Sequence, residues 1–273
     1  MLSCGNFQLS LHRPLIMGIV NVTPDSFSDG GCHDSPDAGI AHALRLLDEG
    51  ADILDIGGES SRPGAIPVSV DEELRRVLPL VEALRGRKVP VSVDTCKPEV
   101  MRAAIAAGAA MINDINALQG EGALEAVAVS NVAVCLMHKQ GTPQTMQLAP
   151  RYDDVVAEAV AFLQARLAAA EAAGISRGRL VVDPGFGFGK SLEHNVALLR
   201  QLDRFGILGV PVLAGLSRKS MLGQLTGLEV SDRLIPSIAA AVIAAMKGAR
   251  IIRVHDVKAT RDALAIFSAI ENG

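Results

Sequence analysis

The sequence has no tryptophan, a single tyrosine and seven phenylalanines, so aromatics make up 3% of 273 residues whose hydrophobic share is 49%. A core with that composition is built from Ala, Val, Ile and Leu, which suits small helices packed on a parallel sheet and excludes a disordered chain. Cysteine is scarce as well. Cys4, Cys32, Cys96 and Cys135 lie far apart without a C-x-x-C pair, so neither a disulfide framework nor a zinc site is indicated. There is no excess of positive charge: 26 Lys and Arg against 30 Asp and Glu give a formal net charge of −4. That balance offers no footprint for nucleic acid, and any phosphate the protein binds is expected to be a small ligand gripped locally. No basic stretch followed by an apolar one opens the chain, and the most hydrophobic helix-like segment, Ser237 to Met246, falls short of the roughly 20 residues that a bilayer demands. The expectation is a cytoplasmic protein without membrane or nucleic-acid partners. Asn21-Val22-Thr23 matches a glycosylation sequon, but with no secretory segment and Pro24 following it is set aside.

What the chain does contain is a repeated βα alternation, the pattern of a parallel sheet. The strands are predicted at Leu15 to Asn21, Ile53 to Gly57, Val89 to Asp94, Met111 to Asn113, Ala133 to Met137, Leu180 to Asp183, Val212 to Ala214 and Ile251 to Val254. Between them, Ser69 followed by Glu72 reads as a capping box, and Thr95 before Pro98 opens a helix that Gly108 ends. Tyr152 to Ala173 reads as one long Ala-rich helix, and Asp232 to Met246 as an extra helix in the seventh unit. No linker or low-complexity tract divides residues 1–273. The expected fold is therefore a single-domain α/β protein, a (β/α)8 TIM barrel, with the residues before Pro14 forming a short N-terminal cover at its bottom.

Polar residues mark the C-terminal end of nearly every predicted strand: Asn21, Glu59, Asp94, Asn113, His138, Asp183, Ser217 and His255. A barrel converges those ends on one mouth, where a strand-terminating residue becomes a site residue. Three loops are too rich in Gly, Ser, Pro and Asp to be plain connectors, namely those running from Val22 to Gly31, from Gly57 to Gly64 and from Asp183 to Lys190. The third suggests a nucleotide loop, yet the P-loop pattern needs Gly where Pro184 stands and the dinucleotide pattern needs Gly where Lys190 stands. After the seventh and eighth strands, Gly215-Leu216-Ser217-Arg218-Lys219-Ser220 and Arg253-Val254-His255-Asp256 offer positive charge at Lys219 and Arg253, the Ser217 hydroxyl and a helix start. Barrels often hold phosphate at that point, so an anionic ligand is expected there.

These residues carry a resemblance to the bacterial dihydropteroate synthases over essentially the full length. The matching stretches are Gly18 to Gly31, Asp55 to Gly64, Ile112-Asn113-Asp114, Asp183 to Lys190, Ser217 to Ser220 and Arg253 to Asp256. The resemblance implies a transferase of an alkyl group other than methyl, one that condenses 6-hydroxymethyl-7,8-dihydropterin pyrophosphate with p-aminobenzoate in folate biosynthesis and is a sulfonamide target. It implies a pterin site of Asp94, Asn113, Met137, Asp183, Gly215 and Lys219. Pyrophosphate would rest on Asn21, Ser61, Arg253 and His255, with Mg²⁺ on Asn21 and with Asp25 as a further possible ligand. The p-aminobenzoate site would be Phe27, Arg62, Pro63, Phe188, Lys219 and Ser220, and the catalytic set Asn21, Arg62, Lys219, Arg253 and His255. A homodimer through the last helices is also implied.

The chain departs from the family pattern at Ser61, where many relatives have Thr, and at Lys139, where Met is more usual. The first keeps a hydroxyl; the second bears on the rim of the pterin site. Two other functions fit a pterin-binding barrel. One is a folate-dependent methyltransferase, which has no need of the Ser26-Phe27-Ser28-Asp29-Gly30-Gly31 and Ser61-Arg62-Pro63-Gly64 loops. The other is a non-catalytic pterin-binding paralogue, which has no need of an intact Asn21, Arg62, Lys219 and His255.

Overall fold

The computed structural model describes residues 1–22, 36–60, 64–142 and 144–271. In chain order its elements are β1 (Leu2–Cys4), β2 (Phe7–Leu9), β3 (Leu15–Asn21), α1 (Pro36–Asp48), β4 (Ile53–Gly57), α2 (Val70–Leu84), β5 (Val91–Asp94), α3 (Pro98–Ala107), β6 (Met111–Asp114) and α4 (Ala123–Ala128). There follow β7 (Ala133–Met137), α5 (Val155–Ala172), β8 (Leu180–Asp183), α6 (Leu192–Arg200), β9 (Leu213–Ala214), α7 (Ser220–Thr226), α8 (Leu234–Met246), β10 (Ile251–Val254) and α9 (Val257–Glu271). Strands β3 to β10 pair in parallel in the order β8-β7-β6-β5-β4-β3-β10-β9. A bridge between Val182 and Val212 joins the two ends, with the Val182 N–H donating to the Pro211 carbonyl at 3.0 Å. The result is the (β/α)8 barrel, with α7 and α8 both lying between β9 and β10.

Strand periodicity of two divides each barrel strand into an outer and an inner set. Ile16, Val20, Leu54, Ile56, Ile252 and Val254 turn outward into the main core shared with the helices. Leu15, Met17, Ile53, Met111, Cys135, Val181, Leu213 and Ile251 turn inward and fill the lower half of the barrel. The hairpin of β1 and β2 closes that end, burying Leu2 and Cys4 against the same inner cluster. Each such fully buried Leu or Ile contributes about 1.5–3 kcal/mol relative to exposure. The same parity carries upward: one step above the apolar layer, the inward positions are Asp55, Ser92, Asn113, Asp183 and Arg253.

Local signals hold with small shifts. Ser69 caps α2 by accepting the Glu72 N–H at 3.2 Å, but the reciprocal half of the capping box does not form, because the Glu72 carboxylate is taken by Arg75 and Arg76. The Thr95 hydroxyl accepts the Lys97 N–H, so α3 starts at Pro98, and Gly108 ends it in the left-handed region at φ 118°. The long helix begins at Val155 because the Asp154 carboxylate caps it. Val230–Asp232 forms a separate 3-10 turn ahead of α8.

Candidate active site

The centre of the mouth is a hydrogen-bonded ladder of inward residues. Arg253 on β10 donates from Nε to Asp55 at 2.6 Å and from Nη2 to Asp94 at 2.9 Å, crossing the barrel to β4 and β5. Asn113 on β6 donates from Nδ2 to the same Asp55 oxygen at 3.1 Å. The Asp55 side chain is 0% exposed and that of Arg253 is 20% exposed, so this is a buried charge pair with a second carboxylate at its rim. Burial pulls the Arg253 guanidinium down, but Asp55 and Asp94 outweigh it and hold the group well above its ordinary value. Asp94 is pushed up to about 7 by burial, which outweighs the pull of Arg253, and Asp55, Glu73 and Asp114 push it further the same way. The second Asp55 oxygen, Oδ1, has no hydrogen-bond partner among the described residues. A buried, unsatisfied carboxylate oxygen is costly and points to a ligand or a water as its complement.

Asp183 and Lys219 form the other half of the mouth. Asp183 accepts the Gly185 N–H on Oδ1 at 2.7 Å, and burial raises its carboxyl against the opposing charge of Lys219. The Lys219 ammonium donates to the Phe186 carbonyl and sits 4.5 Å from the centre of the Phe188 ring, a cation–π contact. Burial pushes it down to about 8, with Asp183 opposing and Arg253 adding to the shift. Above β9 and β10, the Ser217 hydroxyl lies 3.0 Å from Nδ1 of His255 and accepts the His255 N–H at 3.2 Å. Arg218 is held at φ 58° by a two-point bond to Asp256 and by its N–H on the Ser237 hydroxyl, which orients Lys219 and Ser217 on either side.

Of the expected pterin set, Asp94, Asn113, Met137, Asp183 and Gly215 all occupy inward strand positions or their continuation. A Cβ on Gly215 would lie 3.8 Å from the Arg253 side chain. Asn21, Gly57 and Asp94 share one register line across β3, β4 and β5. The Asn21 amide oxygen stands 3.6 Å from where a Gly57 Cβ would be and has no side-chain partner among the described residues. Phe27, Ser61, Arg62 and Pro63 lie outside the described residues, as does Asp25. Ser220 begins α7 and lines a cavity of about 490 Å³ together with Gln147, Lys190, Ser191, Glu193 and Gln224.

Two strand-end residues do not join the mouth. His138 follows the inward Met137 and so turns outward, packing on Phe162 and Tyr152 at ring distances of 5.1 and 5.9 Å. Burial, with the nearby Lys190, pushes it down to about 3, which makes it a neutral packing residue. Glu59 instead meets Lys97, which also binds Glu73 at 2.5 Å and thereby ties the base of the second loop to α2 and α3. One residue of the ladder, Asp55, is not among the site residues that the resemblance implies. Asp55 sits inside a matching stretch but received no role; the available signal was a carboxylate alone in an otherwise apolar strand.

Among the described residues no cluster of three or more His, Cys, Asp or Glu side chains suits a metal ion. A hard Mg²⁺ that keeps its waters and takes phosphate oxygens needs only an oxygen donor or two from the chain, and the amide oxygen of Asn21, without a side-chain partner among the described residues, is of that kind.

Fold and mouth together define a barrel enzyme for a flat, hydrogen-bonding heterocycle that carries negative charge. The chain belongs to the pterin-binding enzyme family, which it matches over residues 17–255. Its relatives there are dihydropteroate synthases. That of Escherichia coli (strain K12) is 55% identical over 262 residues, covering 96% of this chain and 93% of the relative. Yersinia pestis dihydropteroate synthase, solved with a sulfonamide drug complex, has a TM-score of 0.95 and 52% identity, covering 100% of this chain and 99% of the other. The Xanthomonas albilineans enzyme in complex with 7,8-dihydropteroate has a TM-score of 0.91 and 55% identity, covering 100% and 99%.

Proposed function

We propose that this barrel condenses 6-hydroxymethyl-7,8-dihydropterin pyrophosphate with p-aminobenzoate, giving 7,8-dihydropteroate and pyrophosphate in folate biosynthesis. The observation that carries the reading is the polar ladder of Asp55, Asp94, Asn113 and Arg253 facing Asp183 and Lys219 across one mouth.

A pterin presents adjacent N–H donors on its amino-pyrimidinone edge, and the Asp183 carboxylate, with one oxygen held by Gly185, offers them acceptors. Asn113 spends its NH₂ on Asp55 and so turns its amide oxygen to the ligand, while Lys219 serves a ring acceptor and Met137 and Gly215 form the walls. The methylene–pyrophosphate C–O bond breaks with its electron pair leaving on pyrophosphate, giving a ring-stabilised cation; the arylamine nitrogen then forms the new C–N bond and releases one N–H proton to solvent. That nitrogen is neutral near pH 7, so no strong general base is required; stabilising the departing charge and orienting the nucleophile are the tasks. Arg253 keeps Nη1 for the leaving group, and the Ser217 hydroxyl fixes the orientation of the His255 ring beside it. Asn21 and Ser61 complete the pyrophosphate site. When bound at Asn21, Mg²⁺ neutralises the phosphate charge. Phe27, Arg62, Pro63, Phe188 and Lys219 enclose the arylamine, and Ser220, at the start of α7, receives its carboxylate.

No helix among the described residues is long and apolar enough to cross a membrane, and a cytoplasmic setting is part of the proposal. So is a homodimer: Ile235, Ile243 and Met246 on α8 and Ile266 and Ile270 on α9 are exposed apolar residues on the last helices. The test is pyrophosphate release with single components omitted. It is expected only when the dihydropterin pyrophosphate, p-aminobenzoate and Mg²⁺ are present together, in step with dihydropteroate. Tight pterin binding with no pteroate formed would instead identify a non-catalytic paralogue.

A further inference from the structure

The loop after β8 rests on the loop after β7 at unusually short range. Gly185, at φ +71°, lies so close to the His138 carbonyl that a Cβ would come within 1.9 Å of that oxygen. Gly189, at φ +63°, stands in the same relation to the Gln140 carbonyl, at 2.4 Å. Only glycine tolerates both the conformation and the approach. At the centre of this contact is Lys190, buried at 3% exposure. Its ammonium donates to the carbonyls of His138 at 3.2 Å, Gly185 at 2.9 Å and Phe188 at 3.0 Å. A lysine ammonium has three N–H bonds, and all three are used. Although Lys190 lines the cavity beside Ser220, it has no donor left for a ligand carboxylate, and no carboxylate of the chain bonds to it among the described residues.

The same loop holds Lys219. The Phe186 carbonyl accepts from its ammonium, the Phe188 ring lies under it, and a Cβ on Gly187 would lie 3.3 Å from its side chain. Secondary ties fix the loop further: the Tyr152 hydroxyl donates to the Gly189 carbonyl at 2.8 Å, and Asn195 accepts the Gly187 N–H at 2.7 Å.

We infer that Lys190 is a positioning residue for the arylamine half of the reaction: by cross-linking the two loops it sets the Phe186 carbonyl and Phe188 ring that aim Lys219 and wall the p-aminobenzoate. This rests on the proposed function. Pterin recognition shares Lys219 and the Gly185-held Asp183 with this loop, but draws in addition on Asp94 and Asn113, at strand positions that the loop does not set. Loss of the cross-link therefore falls more heavily on p-aminobenzoate than on the pterin, a difference that a merely stabilising residue does not produce.

The test is steady-state kinetics of Lys190→Met with each substrate varied. The KM for p-aminobenzoate is expected to rise about 10-fold or more while that for the dihydropterin pyrophosphate stays within about 3-fold. Equal increases in both, or unchanged KM values with only a lower melting temperature, overturn the inference. Should Lys190→Met not fold, Tyr152→Phe decides the matter: it removes one tie on the same loop and is expected to show the same split at about 2- to 3-fold, and its absence or reversal sinks the proposal. Wild-type turnover in the same assay tests the reaction itself, so failure of the functional reading and failure of the positioning role are read from different lanes.

Discussion

The two ends of the barrel are built on opposite principles. At the bottom, Leu2 and Cys4 of the hairpin press on Met17, Ile53, Met111 and Ile251, with every inward side chain apolar and buried. Two residues further along the same strands, the inward positions are Asp55, Asn113 and Arg253, and beside them stand Asp94, Asp183 and Lys219. The lower layer contributes stability through burial. In the upper layer, burial shifts Asp94, Asp183 and Lys219 towards their neutral forms, so the fold bears a desolvation cost for charges it does not need structurally. One strand thus serves packing at its start and chemistry at its end, which is why residues so far apart in sequence meet at one mouth.

Breaking the upper layer has the largest expected effect. Arg253→Met leaves the Asp55 carboxylate buried without its cation, and denaturant unfolding should show a loss of about 3–5 kcal/mol. Turnover should fall on the order of 10²–10³-fold, as for removal of a leaving-group stabiliser. Breaking the lower layer should separate stability from activity. Leu2→Ala is expected to cost about 2–5 kcal/mol in unfolding free energy while kcat and both KM values remain at wild-type levels; a changed KM would mean that the two ends are coupled.

A pH series sharpens the contrast without mutation. Lys219 titrates near 8 in the folded protein, so its charge is present below that pH and lost above it. Recognition of anionic p-aminobenzoate should weaken about tenfold per unit above pH 8. Stability should move the other way. Between about 8 and the ordinary value of 10.5, the unfolded chain binds the proton that the folded one has released, so the Lys219 contribution to stability rises with pH. Parallel loss of activity and of stability across that window would contradict the assignment. The smallest effect is expected at Lys139, which is partly buried and pushed down by burial, with Cys96 and Asp114 opposing. Lys139→Met should alter turnover by no more than about 2-fold and stability by about 0.5 kcal/mol or less.

Strand positions were legible because β-branched runs and period-two alternation dictate them locally. β3, β4, β7, β8 and β10 fall on their predicted bounds, whereas β5 begins at Val91 rather than Val89 and β6 runs on to Asp114. The cations and the carboxylates at strand ends were legible as motifs. Side-chain direction was not, at the strand ends. His138 stands one residue past an inward position and therefore points to the helices, a distinction that strand-end polarity alone does not make. The partners of Arg253 were hidden for another reason. The motif points to an anionic ligand for it, yet its partners in the fold, Asp55 and Asp94, lie 198 and 159 residues away in sequence, and only closure of the barrel brings them together. The Glu72 half of the capping box was lost to Arg75 and Arg76, a competition between neighbours that the four-residue pattern does not contain.

The central claim is that the buried charges of the mouth serve the reaction at the expense of the fold. It is tested most directly by the triple variant Asp55→Leu, Asp94→Leu, Arg253→Met, which replaces the charges of the ladder by apolar side chains as a unit. Its unfolding free energy is expected to return to the wild-type value or exceed it by about 1–4 kcal/mol, with dihydropteroate formation still lost. A triple variant as unstable as Arg253→Met alone, or one that retains turnover, would contradict the account.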